Sequence, residues 1–213
     1  MRQAAIRTAA GLCLLAVLIT SLPIYADTAS RFSKISNTGK LLSADASFGQ
    51  DEDNWGCTQD ATSGLMWEVK SLEKGLRYHG WTYTPYDSNP ETNGGWIGYK
   101  DSTSGECLRA EMDESSCNTE AYVKAVNHAG LCGHKDWRLP SLKELVAVAT
   151  ETARQKSTET RKMLPHVADG WYWTAVEHVG VTSFSRVVLL PRAGRPHFYD
   201  GSYLVLVVRD TEK

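Results

Sequence analysis

Asp136-Trp137-Arg138-Leu139-Pro140-Ser141-Leu142-Lys143-Glu144-Leu145 decides how the middle of this chain folds. Ser141 followed three residues on by Glu144 is a capping box, in which hydroxyl and carboxylate each bond the other's backbone amide. Pro140 favours an extended approach to that cap. Leu142, Leu145, Val146 and Ala149 then recur at helical spacing, so a helix opens at residue 141 and buries that face. The preceding triplet has two readings. Asp136, Trp137 and Arg138 line a ligand site, or a buried indole and an Arg–carboxylate pair pin the loop. The second is preferred, because bidentate Arg pairs lock loops well. Asp60 and Glu68 are the acids expected to meet Arg138 or Arg209.

Outward from this block, residues 118–129 predict another helix. Asn118 or Thr119 caps it, and Glu120 in the first turn complements the helix dipole. Tyr122, Val126 and Ala129 form its apolar stripe, and Gly130 stops it. Upstream, Asp60-Ala61-Thr62-Ser63-Gly64 is a turn signal leading into a strand over 65–70. Downstream, 171–175, 184–190 and 203–208 read as strands, with a turn at 191–194. Helices set between strands predict an α+β fold with antiparallel sheets. The domain is placed at 55–213. Residues 27–54, rich in Ser, Ala and Asp and without a period, read as a linker or flexible N-terminal arm.

The opening residues carry Arg2 and Arg7, an apolar run over 9–19 and a small-residue boundary at Ile24-Tyr25-Ala26. These are the parts of a signal peptide, expected at 1–26. An exported protein follows, in the periplasm, on the outer surface or outside the cell. The run falls short of the roughly 20 residues that cross a bilayer, and no membrane span is expected in the mature chain. Beyond Cys13 in the leader, Cys57, Cys107, Cys117 and Cys132 remain, an even set that predicts two disulfides. A helix between Cys117 and Cys132 rises about 15 Å over ten residues, while bridged Cα atoms lie within about 7 Å. That disfavours Cys117–Cys132. Of the two pairings that remain, Cys57–Cys132 with Cys107–Cys117 is preferred, and Cys57–Cys117 with Cys107–Cys132 stays open. The formal net charge of -2 argues against nucleic acid as the main partner.

Several of these motifs, taken in order, resemble the Lcl C-terminal domain family, also called domain of unknown function 1566. They are the 60–64 turn with Leu65-Met66-Trp67-Glu68, Tyr122-Val123-Lys124-Ala125-Val126-Asn127, and Leu131-Cys132-Gly133. The Asp136–Leu145 block, Tyr172-Trp173-Thr174 and Val207-Val208-Arg209 complete the set. The likeness spans roughly residues 55–210. It implies a disulfide-stapled, C-type-lectin-like fold related to the formylglycine-generating enzyme. It also implies an exported or surface-exposed bacterial protein. The best-known member is adhesin-like and binds sulfated glycosaminoglycans through this domain. This chain lacks that member's collagen-like repeat. It also lacks the Glu-Pro-Asn, Gln-Pro-Asp and Trp-Asn-Asp motifs with which C-type lectins hold calcium and sugar. The fold carries over, and calcium-dependent sugar binding does not.

Within that frame, Asp60, Thr62, Gly64, Trp67, Glu68, Asp136, Trp137, Arg138, Pro140, Trp173 and Arg209 form the structural motif. Ligand recognition is expected elsewhere. Residues 78–99 make a long, turn-rich excursion, and loops of this length inside compact domains are often functional. Its Trp81, Tyr83, Tyr86, Trp96 and Tyr99 offer flat faces for sugar rings, weighed against a loop that packs its aromatics over the core. Arg186, Arg192, Arg195 and His197 cluster near one hairpin and suit sulfate or carboxylate groups, weighed against an ordinary solvated turn. His128, Cys132 and His134 make a poor zinc set without paired ligands on both halves. No cofactor is implied. A nucleophile needs an activating base beside it, and no such motif appears. The expected function is a non-enzymatic binding or adhesion module for a sulfated or neutral polysaccharide. A component of an envelope or pilus assembly that meets a protein partner is the first alternative. An oxidase-like enzyme using Cys107 or Cys117 is the second.

Overall fold

Local signals place the two helices. In the computed structural model, which describes residues 30–100, 105–109, 116–154, 164–175, 186–190, 197–198 and 201–212, helix α1 is Thr119–Ala129 and helix α2 is Leu142–Arg154. The Asn118 side chain accepts from the Ala121 amide at 2.8 Å and caps α1. Gly130, at φ 66°, ends it in the left-handed region that a Cβ disfavours. The buried face of α1 is Ala121, Tyr122, Ala125 and Val126, with Ala129 outside it. At α2 the capping box closes both ways: Glu144 N–H donates to Ser141 Oγ at 3.2 Å, and Ser141 N–H to Glu144 Oε2 at 2.7 Å.

Phe32–Ser36, assigned by the sequence to a linker or flexible arm, is instead strand β1. It pairs antiparallel with β2, Trp55–Asp60, which pairs with β3, Leu65–Glu68. The signal was weak because β1 is an edge strand that buries only Ile35 and Ser36. Strand β7, Val208–Asp210, completes this sheet in the order β1-β2-β3-β7. A second antiparallel sheet holds β4, Gly170–Trp173, β5, Arg186–Leu190, and β6, His197–Phe198. Only the end of the strand expected over 203–208 joins a sheet. Ahead of β7 the chain runs extended and bonds to whatever passes it. Tyr203 exchanges backbone hydrogen bonds with Tyr83, and Leu204 bonds Trp171 and Trp173; at the start of β7 itself, Val208 exchanges them with Arg138.

Two disulfides tie these parts together. Cys57–Cys132 joins β2 to the turn after α1, and Cys107–Cys117 joins the residue next to Glu106, which bridges to Thr82, to the approach to α1. This is the expected pairing. Two apolar clusters form the core, one around Tyr83, Tyr122, Trp137 and Trp173, the other around Trp67, Leu145, Tyr172 and Leu206.

A charged group sits inside the first cluster. Glu68 and Lys70 are buried, with Lys70 Nζ 3.1 Å from Glu68 Oε1 and 2.8 Å from the Tyr122 hydroxyl. Tyr122 donates to the same Glu68 oxygen, and the Val207 amide donates to Oε2 at 3.2 Å. Burial pushes the Lys70 ammonium below its ordinary value and the Tyr122 hydroxyl well above its own. A buried ion pair of this kind is costly to break, because the partner left behind is an uncompensated charge.

Candidate functional site

The aromatic segment changes course at Thr84. Thr84 N–H donates to Cys117 O at 2.8 Å, and Thr119 N–H to Thr84 O at 2.9 Å. Beyond it, Asp87 N–H donates to Ile97 O and Tyr99 N–H to Pro85 O, closing a small hairpin-like loop over 85–99. The Thr119 hydroxyl accepts from the Tyr86 amide at 2.9 Å and donates to the Tyr86 carbonyl at 2.8 Å. Glu120 accepts from the Ser88 amide and hydroxyl. The first turn of α1 thus holds the loop in place.

Between loop and helix lies a cavity of about 340 Å³. Pro85, Tyr86, Trp96 and Ile97 form one wall, and Thr119, Glu120, Val123 and Lys124 of α1 form another. Trp173, Thr174 and Ala175 follow β4 into it, and Arg138, Leu139 and Ser141 close the remaining side. Trp173 is fully buried, and its indole N–H donates to Tyr83 O at 2.7 Å, which fixes that residue. Tyr99 meets Trp96 edge-on, with ring centroids 5.5 Å apart.

The charges around the groove are matched within the protein. Lys124 Nζ lies 2.6 Å from Glu120 Oε1. Burial raises the Glu120 carboxyl, but Lys124 and Ser88 hold it below the usual range. The Arg138 guanidinium bonds both Glu144 oxygens, at 2.9 and 2.8 Å, and reaches Asp210 at 3.3 Å. The Glu144 hydrogen bonds raise the Arg138 pKa further. Asp87 accepts from the Asn89 amide and the Thr92 hydroxyl.

Of the expected ligand-binding aromatics, Tyr86 and Trp96 meet in the groove, and Tyr99 braces Trp96. Tyr83 does not join them: it is a core residue, 4.8 Å from the Tyr122 ring. Trp81 packs edge-on against Tyr78 and donates its N–H to Gly75 O. Arg192 and Arg195 lie outside the described residues. For Arg186 and His197 the backbone places the two on adjacent strands, where Val187 opposes His197. Pairing partners differ from expectation. Asp60 takes Arg31 bidentately at 2.8 Å, Glu68 takes Lys70, and Arg209 takes Asp136 at 2.7 Å. Burial raises the Asp60 carboxyl, yet Arg31, the Thr62 amide and the Ser63 hydroxyl bring it below its ordinary value. Gly64, at φ 68°, completes the turn from Asp60, and Trp67 is buried in the second cluster. Trp137 is buried, its N–H donating to Leu131 O and its backbone held between both amide atoms of Asn127. The α1 wall was missed. Its signal was present in the stripe that buries Tyr122 and Val126, which leaves Val123 and Lys124 on a different face of the helix.

The four cysteines at 57, 107, 117 and 132 are all bonded, which takes Cys132 out of any zinc set with His128 and His134. Among the described residues no group of three or more His, Cys, Asp or Glu side chains is placed to hold a metal ion. None of their helices is long and apolar enough to cross a membrane. The chain belongs to the Lcl C-terminal domain family, whose model matches residues 56–209. No curated protein and no solved structure matches it.

Proposed function

We propose that, as a member of the Lcl C-terminal domain family, this protein is an exported, non-enzymatic binding or adhesion module of C-type-lectin-like fold. Its ligand is a glycan, held in the groove between the aromatic loop and α1. One observation carries the reading: Tyr86 and Trp96, both expected at a ligand site, converge on a single cavity over the fixed indole of Trp173. Apolar walls with a few polar groups are the usual make-up of a ligand pocket. The Cys107–Cys117 disulfide and the Thr119 hydrogen bonds stiffen this wall before any ligand arrives, which limits the ordering cost of binding.

The test is binding of the mature protein to a panel of neutral and sulfated polysaccharides, repeated with Ala175→Trp, which fills the groove. Binding that Ala175→Trp abolishes supports the reading. Binding that it leaves intact moves the site elsewhere, with residues 186–198 next to be tested. Silence toward every glycan contradicts it. A protein partner in an envelope or pilus assembly is the second reading. It draws on Ile97 and Tyr99, which are 50% and 45% exposed along the same loop. Co-purification of one stable envelope protein, with no glycan bound, would favour it. The oxidase-like reading needs a free thiol at Cys107 or Cys117, and both are bonded to each other. Thiol labelling of the native protein is expected to find neither.

A further inference from the structure

The tryptophans of this chain differ in what their ring nitrogens do. Trp55, Trp81, Trp137 and Trp173 donate theirs to the carbonyls of Cys57, Gly75, Leu131 and Tyr83. Trp96 is half-buried on the groove wall, and among the described residues its N–H donates to nothing. The Tyr86 hydroxyl, on the same wall, also bonds no described residue. Tyr99 stands edge-on to Trp96 at an interplanar angle of 86°, which holds the indole plane. The groove wall therefore carries a braced indole and a phenol whose polar hydrogens bond no described residue.

The charges decide what can lie on that face. Asp87 and Glu120 line the cavity together with Lys124 and Arg138, so the formal charges cancel. The cations already face acids, Lys124 on Glu120 and Arg138 on Glu144 and Asp210. A sulfate entering here would have to compete with those carboxylates and sit beside Asp87, and like charges in proximity are costly. A wholly apolar ligand would leave the Trp96 and Tyr86 donors to be desolvated without partners, which is also costly. A ring with an apolar C–H face and neutral hydroxyls around its edge meets both conditions.

We infer that the groove takes an uncharged pyranose ring of a polysaccharide, stacked on Trp96, with its hydroxyls within reach of the Trp96 N–H and the Tyr86 hydroxyl. The inference rests on the glycan reading above and narrows it to neutral sugars. Calorimetric titration of the mature protein compares neutral oligosaccharides (glucose-, galactose- and N-acetylhexosamine-based) with sulfated forms of each, at low and moderate salt. Neutral sugars are expected to bind with an affinity that changes less than about twofold with salt. Trp96→Ala is expected to weaken that binding about tenfold or more, with an unfolding midpoint close to that of the unaltered protein. Trp96→Phe keeps a ring without the donor and is expected to fall between them. Binding confined to sulfated sugars, and lost with salt, overturns this inference. If Ala175→Trp abolishes that sulfated binding, the glycan reading itself survives. Neutral binding that Trp96→Ala leaves unchanged overturns the inference as well. Silence toward every sugar by a folded protein overturns both.

Discussion

Residues 78–83 and residues 85–99 each carry three Tyr or Trp side chains, yet their surroundings differ. In the first stretch Tyr83 exchanges backbone hydrogen bonds with Tyr203 and turns its ring into the core against Tyr122, while Trp81 spends its donor on Gly75. In the second stretch Tyr86 and Trp96 line a cavity, and among the described residues their donors bond nothing. The number of aromatic rings is shared, and the backbone tethers differ. Bonds to an extended segment drew one half inward, whereas the Thr119 hydroxyl and Glu120 hold the other half open against α1. An aromatic count therefore locates a segment of interest, and its backbone partners decide which rings remain available to a ligand.

Substitutions on the two sides should separate stability from binding. Lys70→Ala, at the centre of the buried group, leaves Glu68 without its cation and should cost about 3–5 kcal/mol in urea unfolding. Tyr83→Ala empties a fully buried ring position and should cost a similar amount, roughly 3–5 kcal/mol. A small effect there would break the comparison by showing that Tyr83 is not committed to the core. Replacing Cys107 and Cys117 together by Ser opens a short loop and should cost about 2–3 kcal/mol. Because that bridge anchors the approach to α1, glycan binding should weaken with it. Trp96→Ala should change stability by less than about 1 kcal/mol, with its effect read in binding.

Acid should act on the ion pairs rather than on the groove aromatics. Burial raises the Asp60 and Glu144 carboxyls, but Arg31 with Thr62 and Ser63, and Arg138 with Ser141, together hold both below their ordinary values. A depressed folded value means that their contribution is fully present above the unfolded values near about pH 4. It is lost as pH falls through the folded values. Arg31→Ala should move the Asp60 part of the acid-unfolding limb to higher pH, which an acid titration followed by circular dichroism would detect. An unmoved limb would mean that Asp60 gains nothing from Arg31.

What the sequence made legible was local. Asn118, Gly130 and the Ser141–Glu144 box act within a turn or two of themselves, and both helices stand where these residues placed them. For the disulfides, a helix acting as a spacer excluded Cys117–Cys132 alone, and the fold itself chose Cys57–Cys132 with Cys107–Cys117 over the other pairing left open. Ion-pair partners were not legible, because a carboxylate can meet any cation that the fold brings near it. Arg138 found Glu144, six residues away in the cap it precedes, instead of Asp60 or Glu68. Strand β1 escaped because an edge strand with two buried residues leaves little alternation to read. The groove was half legible. Its aromatic wall was visible in composition, while the α1 wall required knowing which way the 85–99 loop folds back.

Entry of ligand between Trp96 and α1 is tested most directly by nuclear magnetic resonance of the protein titrated with a polysaccharide fragment that binds it. The largest shift is expected at the Trp96 indole N–H, with backbone amides over 119–124 following. The indole signals of Trp55, Trp81 and Trp137 should stay in place, since their hydrogen bonds are internal. Shifts gathered instead over residues 186–198, with the Trp96 signal unmoved, would contradict it.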